Sequence, residues 1–188
     1  DELESEVGVL RSWRLTEGVV DSLALTVEVK KPSGIRGEIL EVVAVGDPEW
    51  EGKLSLRHEG DGVYSVRVKE PRNPRQTLDP VRAGEVIEIE GYQLRLFPEL
   101  LAEPPENIRI NILLHYQAVD DLRDDLDIRR QEIGSRLVDI SHTIPDRKMA
   151  AEIVNTLVAE YTVYKTQTEQ SEAQYTVREL RNEVTAYA

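Results

Sequence analysis

Apolar residues recur every four positions along the last quarter of the chain. The residues at this spacing are Met149, Ile153, Leu157 and Tyr161. Such spacing places them on one face of an α-helix, and neither proline nor glycine occurs from Arg147 to Ala188. With a rise of about 1.5 Å per residue, a helix over about residues 146–188 is roughly 60 Å long, which exceeds the width of a compact domain of this size. The pattern therefore predicts a helix that extends beyond the body of the protein.

The first 23 residues also have helical spacing. Apolar residues share a helical face in two groups: Leu3, Val7 and Leu10, then Leu15, Val19 and Leu23. This pattern predicts a helix from Asp1 to Leu23. A strand from Leu25 to Val29 follows and ends at Lys30-Lys31-Pro32.

The middle of the chain alternates apolar and polar residues. The predicted strands are Ile39–Val45, Lys53–His58, Val63–Lys69, Glu85–Glu90, Gln93–Phe97 and Ile108–Leu114. Gly60-Asp61-Gly62 separates two of these strands and predicts a β-hairpin, and Glu90-Gly91-Tyr92 separates another two. This β-rich segment covers about residues 35–115.

A second helix is predicted from Ala118 to Ile128 and a strand from Arg136 to Thr143, before the long helix. The order of elements predicts an α+β or α/β fold with a mixed sheet. We expect a single domain, residues 1–188, whose base is a sheet packed with helices. The first helix and the strands near Leu25 and Ile140 form this predicted base, with the chain entry and the beginning of the long helix on the same side.

The net charge is −13 and the chain contains no cysteine. A strongly acidic protein is a poor candidate for binding nucleic acid or an anionic membrane surface, because both require a basic surface. The same argument predicts weak electrostatic capture of an anionic glycan. The one methionine is Met149 and the chain begins at Asp1, so we expect it to be a piece of a longer protein.

Candidate catalytic or metal-binding groups are few. The three histidines, His58, His115 and His142, do not occur at the spacings of known metal ligands, and we expect structural or solvated roles for them. The acidic cluster Asp120, Asp121, Asp124, Asp125 and Asp127 lacks the glycine and the final glutamate of a Ca²⁺ loop. No glycine-rich phosphate loop or nucleophile motif occurs. The prediction is therefore no catalytic residue, no cofactor site and no metal site.

The distal part of the long helix is polar over Lys165–Gln174 and then regains an apolar seam. The seam residues are Val177, Leu180, Val184 and Tyr187, at spacings of three, four and three. This spacing is typical of a helix that packs against another helix. It predicts a partner helix or a neighbouring copy at this position.

Three parts of the chain resemble a known family. Leu122 and Leu126, the strand Leu137-Val138-Asp139-Ile140-Ser141, and the helix opening Ala150-Ala151-Glu152-Ile153-Val154-Asn155-Thr156-Leu157 with Tyr161 resemble the periplasmic region of bacterial polysaccharide co-polymerases. These are the Wzz-type chain-length determinants and the related exopolysaccharide and capsule tyrosine autokinases. Glu4 to Val29 resembles the family's first periplasmic helix and strand, and the β-rich segment over about residues 35–115 resembles the insertion of its exopolysaccharide and autokinase branch. The resemblance thus covers nearly the whole chain. The family's usual Asp-Pro before the long helix is here Ile144-Pro145-Asp146, which we expect to cap the helix in the same way.

The resemblance implies a function by assembly. Members of the family have two membrane helices around a periplasmic domain and form homo-oligomeric rings in the inner membrane. They set the length of O-antigen, capsule or exopolysaccharide made by a partner polymerase, so the implied partners are that polymerase and the growing glycan. A cytoplasmic kinase domain follows in the autokinases. The domain itself is expected to catalyse nothing and, without membrane helices, to be a monomer or weak oligomer in solution.

The alternative function is a periplasmic carbohydrate-binding module within a polysaccharide export system. Sugar-binding sites present exposed aromatic rings, and aromatic residues make up only 5% of this chain. Trp50, in the predicted loop Asp47-Pro48-Glu49-Trp50-Glu51-Gly52, is the candidate glycan contact. Saturable glycan binding that Trp50→Ala abolishes is the result that would favour this alternative.

Overall fold

The computed structural model describes residues 2–33, 36–131 and 137–186. The α-helices are α1 (Glu2–Leu10), α2 (Trp13–Leu23), α3 (Arg36–Ile39), α4 (His115–Asp125) and α5 (Arg147–Ala186). The strands are β1 (Val27–Lys31), β2 (Leu40–Ala44), β3 (Gly52–Gly60), β4 (Val63–Lys69), β5 (Gln76–Arg82), β6 (Val86–Ile89), β7 (Tyr92–Leu96), β8 (Asn107–Ile112), β9 (Asp127–Arg130) and β10 (Val138–Ser141). The predicted α+β class and the long C-terminal helix are confirmed. The sheets differ from the predicted mixed sheet, since every described strand pair is antiparallel.

Two sheets form a β-sandwich around the first hydrophobic core. The five-stranded sheet has the order β1-β8-β3-β4-β5, and the three-stranded sheet has the order β2-β7-β6. Alternate residues of both sheets point inward, as in Leu54, Leu56, Val66, Ile110 and Leu94, each at most 1% exposed. The hairpin predicted at Gly60-Asp61-Gly62 is the β3–β4 connection. The β-rich segment predicted over residues 35–115 corresponds to this sandwich, which also includes β1.

The helices form a second core with the β9–β10 hairpin. Leu15, Val19, Val119, Ile128 and Leu157 are each at most 2% exposed and belong to one cluster. Helix α2 contacts both α4 and α5, so it is the central element of this layer. Burial of apolar area of this kind contributes about 25 cal/mol per Å², which makes the cluster the main source of stability for the helices.

The predicted single helix Asp1–Leu23 is wrong, because the described part of this segment forms two helices. Leu10 and Leu15 are five residues apart, which rotates them by about 140° on a continuous helix and would expose one of them. Ser12 instead adopts an extended conformation (ψ 147°) and begins α2. The break buries both leucines, at 5% and 2% exposed.

Two other boundaries differ from the prediction. The helix predicted over Ala118–Ile128 is α4, which ends when Leu126 becomes extended (ψ 119°), and Ile128 lies in β9. Strand β5 was not predicted, because most of its side chains are exposed and Pro80 interrupts its pattern.

The parts of the predicted base pack on one hydrophobic cluster, which includes Leu25 and Ile140, but their strands belong to different sheets. Strand β1 pairs with β8 because its inward residues Val27 and Val29 oppose Ile112 and Ile110, whereas β10 pairs with β9 in a separate sheet. Helix α1 lies beside the middle of α5 and not at its beginning, because Glu6 binds Lys165 at 2.8 Å. Lys165 is 18 residues along α5 from Arg147, which is about 27 Å of helix.

A tyrosine in the first core gives a test of the sandwich. Tyr64 is 0% exposed, and no described residue forms a hydrogen bond with its hydroxyl. Burial raises the pKa of Tyr64 above its ordinary value of about 10. The unfolded chain therefore ionises first, and this residue's contribution to stability is present below about pH 10 and lost as the pH rises further.

We expect Tyr64→Phe to reduce the loss of stability between pH 8 and pH 10.5, measured by urea unfolding. At pH 8 the variant should equal the wild type or exceed it by up to about 1 kcal/mol, because no hydrogen bond is removed. Tyr116→Phe, at a ring that is 53% exposed, is the control and should keep the wild-type pH profile. A Tyr64→Phe variant with an unchanged alkaline profile would show that this hydroxyl is not buried.

Candidate functional site

Helix α5 has two halves with different surroundings. In the first half, Met149, Ile153, Leu157, Tyr161 and Tyr164 pack against the second core. Asp146 caps this end, as expected from Ile144-Pro145-Asp146: its carboxylate accepts the backbone N–H of Met149 at 3.0 Å and its carbonyl accepts that of Ala150 at 2.9 Å. Gly18 of α2 allows close approach, because a Cβ there would lie 3.0 Å from Glu160.

The contact between Lys165 and Glu6 marks the end of the packed half. The hydrogen bond to Lys165 lowers the pKa of Glu6, and the same bond raises the pKa of Lys165. Both groups lie at the surface, so their ion pair contributes little to stability. Beyond Lys165, every α5 side chain described, up to residue 179, is exposed.

We define the distal segment of α5 as residues 165–186. Every side chain described in it, from residue 165 to residue 179, is exposed. Tyr175 and Val177 are 64% and 57% exposed. The segment is about 30 Å long and is stabilised locally, for example by the Tyr175 hydroxyl donating to Glu179 at 2.9 Å. No side chain described from residue 166 to residue 179 is buried, and a helix of this length without packing is only marginally stable in water, so the distal segment is a candidate surface for a partner helix.

The structure describes only part of the predicted seam. Val177 lies on the distal segment with its side chain in solvent. Leu180 and Val184 belong to α5, but their side chains lie outside the described residues, as does Tyr187 altogether. The seam therefore stays a prediction, since Val177 is its only residue whose side chain is described.

Trp50 packs against the first core and is partly buried. Its ring is 6.0 Å from that of Tyr92 between centroids, and a Cβ on Gly52 would lie 2.5 Å from it. The indole N–H is buried and has no hydrogen-bond partner among the described residues. This packing leaves the Trp50 ring only partly exposed.

The histidines have structural contacts. His58 Nε2 accepts the backbone N–H of Gly62 at 3.3 Å, His115 Nε2 lies 2.8 Å from the carboxylate of Asp21, and His142 Nδ1 lies 3.4 Å from the carbonyl of Asp125. Within residues 2–33, 36–131 and 137–186, no three His, Asp or Glu side chains are placed to hold a metal ion.

A concave region of about 360 Å³ lies between β1, α4 and the beginning of α5. Arg36 borders it and donates to the carbonyls of Leu23, Ala24 and Val27 at 2.6, 2.7 and 3.0 Å. Burial lowers the pKa of Arg36, and Glu152 and Asp146 oppose that shift. Because the guanidinium satisfies the end of α2, we assign Arg36 a structural role that sequence reasoning missed.

The outward side of the five-stranded sheet carries a group of exposed cations that sequence reasoning also missed. We call it the basic face, and it consists of Lys53, Arg57, Arg67, Lys69 and Arg109. The strand register places them together: Lys53 opposes Lys69, and Ser55 lies between Arg67 on one neighbouring strand and Arg109 on the other. None of the five charged side chains forms an ion pair or a hydrogen bond with another described residue. The signal was available in the sequence, since these are the polar positions of the predicted strands.

The comparisons with known proteins add little to this geometry. No protein-family model and no curated protein matches the sequence. Among solved structures, FlgL of Xanthomonas campestris in two crystal forms is similar, at 18% identity and TM-score 0.32 (covering 81% of this chain and 49% of that one) and at 13% identity and TM-score 0.23 (79% and 54%). The chain thus spans about half the length of the FlgL chains that it matches. TM-scores this low define no shared fold. No helix in the described part of the chain has the length and apolar character to cross a membrane.

Proposed function

We propose that this chain is the periplasmic domain of an oligomeric scaffold, tethered to the bacterial inner membrane, that regulates chain length or export in the synthesis of O-antigen, capsule or exopolysaccharide. The observation that supports the proposal best is the distal segment of α5, which leaves the body with all its described side chains exposed. The resemblance of Val119 to Tyr161 to polysaccharide co-polymerases supports the part of the proposal that concerns the inner membrane and polysaccharide synthesis.

The physical argument starts from the cost of an unsupported helix. Among the described residues, the contacts between the body and α5 extend along the helix as far as Tyr164 and the ion pair at Lys165. Beyond that point the helix gains stability if apolar residues such as Val177 pack against a neighbouring copy. Membrane tethering raises the effective concentration of the copies, so a contact too weak for the free domain can form in the full-length protein.

The proposal gives the domain no catalytic role and no cofactor. Its part is to hold copies in a ring next to the polymerase, so that the assembly, and not one active site, determines polymer length. Trp50 does not favour the alternative of a carbohydrate-binding module, because its ring packs on Tyr92 and Gly52.

The test is the length distribution of the polysaccharide, resolved on a gel from cells that lack the gene. Deletion should abolish the preferred length, and the wild-type gene should restore it. We expect the gene with Leu180→Ser and Val184→Ser not to restore it, whereas a gene with Val163→Ser, at an exposed position of the packed half, should. A length distribution that is unchanged by deletion would contradict the proposed function.

A further inference from the structure

The basic face is unusual because this chain has an excess of acidic residues. Lys+Arg number 23 and Asp+Glu 36, so carboxylates to neutralise a surface cation are plentiful. Lys53 nevertheless lies directly opposite Lys69, an arrangement that destabilises a sheet. The carboxylates near this side of the sheet form no ion pair with the five cations. Glu28 binds Lys30 at 2.6 Å, Glu59 accepts the Ser65 hydroxyl at 2.8 Å, and the exposed Asp79 of β5 has no ion pair with a described residue.

The other side of the sandwich shows the usual arrangement. On the outward side of the three-stranded sheet, Arg95 binds Glu41 at 3.3 Å, and Gln93 donates to Glu88 at 3.2 Å. The two outward surfaces belong to the same sandwich. Solvent exposure alone therefore does not explain why charged side chains have partners on one surface and the five cations have none on the other. The unpaired cations are a property of the five-stranded sheet.

We propose that the basic face binds an acidic polysaccharide, one whose sugar rings carry carboxylates or comparable anionic groups. Ser55 lies at its centre, with Arg67 and Arg109 on the neighbouring strands about 5 Å to each side and Lys53 and Arg57 about 7 Å away along β3. An arginine can bind a carboxylate through two parallel hydrogen bonds. An extended polymer can therefore lie across several strands and meet a cation at each.

Neutral polar side chains alternate with the cations and explain the preference for a glycan. Ser55, Ser65, Asn107, Asn111 and Thr77 face the same side, as the register shows. Their hydroxyl and amide groups can exchange hydrogen bonds with sugar hydroxyls. No aromatic ring occurs among the described residues of this face, whereas single-stranded nucleic acid is held by stacking on such rings and protein interfaces have an apolar core.

This inference rests on the proposed function, because the polymer that it binds is the one whose length the scaffold would regulate. It also replaces the weak capture that net charge alone predicts. The five cations lie on one surface, and the field near that surface depends on them and not on the total of −13. The salt dependence of binding is the direct signature, since each cation that contacts the polymer displaces a counterion.

The experiment is calorimetric titration of the 188-residue chain with polygalacturonate, with dextran as a neutral polymer and with single-stranded RNA. The test variant is Arg67→Gln with Arg109→Gln. The control is Arg147→Gln with Lys148→Gln, two exposed cations at the beginning of α5, so both variants lose the same charge. Thermal unfolding confirms that each variant is folded.

We expect polygalacturonate to bind the wild type and the control equally and more weakly as salt rises. The test variant should lose at least about tenfold in affinity at low salt. Equal affinity of the two variants, equal binding of dextran, or tighter binding of RNA than of polygalacturonate would each overturn the proposal. Absence of binding together with a polymer length that still depends on the gene would overturn this inference and leave the scaffold function standing. Binding of polygalacturonate together with a polymer length that does not depend on the gene would support this inference and overturn the scaffold function.

Discussion

Replacing Leu157 with alanine is expected to destabilise the protein by about 3 to 4 kcal/mol. Leu157 is 0% exposed and lies where α5 meets α2 in the second core. The substitution removes buried methyl groups and leaves a cavity that helices on both sides cannot fill without moving. Against a total stability of about 5 to 15 kcal/mol for a domain, this is a large fraction.

The measurement is urea unfolding followed by circular dichroism, with Val158→Ala as the matched control. Val158 is the next residue of the same helix and is 45% exposed, so its truncation should change the free energy of unfolding by less than about 0.5 kcal/mol. Two variants with the same stability would contradict the packing of α5 against the body.

Local sequence was sufficient to predict the elements that depend on local chemistry. The long helix follows from a four-residue apolar stripe and from Asp146, whose carboxylate caps it. The β3–β4 hairpin follows from its turn, in which Asp61 and Gly62 have positive φ angles of 51° and 70°. Glycine adopts such angles without strain, which is why the sequence indicates the turn.

Elements that depend on distant partners were not predicted. Strand β1 joins β8, about 80 residues later in the chain, and no local pattern distinguishes that pairing from one with β10. The break at Ser12 occurs because two apolar stripes must reach one core, and Ile128 leaves the helical pattern to pair with Ile140.

The candidate sites also differ in how much of each could be predicted from local sequence. Spacing suggested a seam on α5, and the structure shows that Val177 in it is exposed. A loop position suggested Trp50 as a glycan contact, but the ring packs against Tyr92, a residue 42 positions away. Net charge suggested weak electrostatic capture of an anionic glycan, yet strand register gathers Arg67, Arg109 and their neighbours on one side of a sheet. Net charge contains no information about such placement.

The second large expected effect is covalent capture of neighbouring copies through the distal segment of α5. The chain has no cysteine, so one introduced thiol reports contacts between copies without interference from another thiol of this chain. Val177→Cys places that thiol on the exposed segment, where the wild-type side chain is 57% exposed. If tethered copies pack their distal segments together, a short bis-maleimide reagent will join neighbouring copies in pairs through this one thiol.

The measurement that tests the central claim most directly is this cross-linking in membranes that contain the full-length protein, read on a denaturing gel. Val43→Cys, on the outward side of β2 where the wild-type side chain is 42% exposed, is the control for chance encounters. We expect a covalent dimer with Val177→Cys, because each copy has one thiol to link, and monomer with the control. Monomer in both samples would contradict assembly through α5, and therefore the proposal that the protein acts as an oligomeric scaffold.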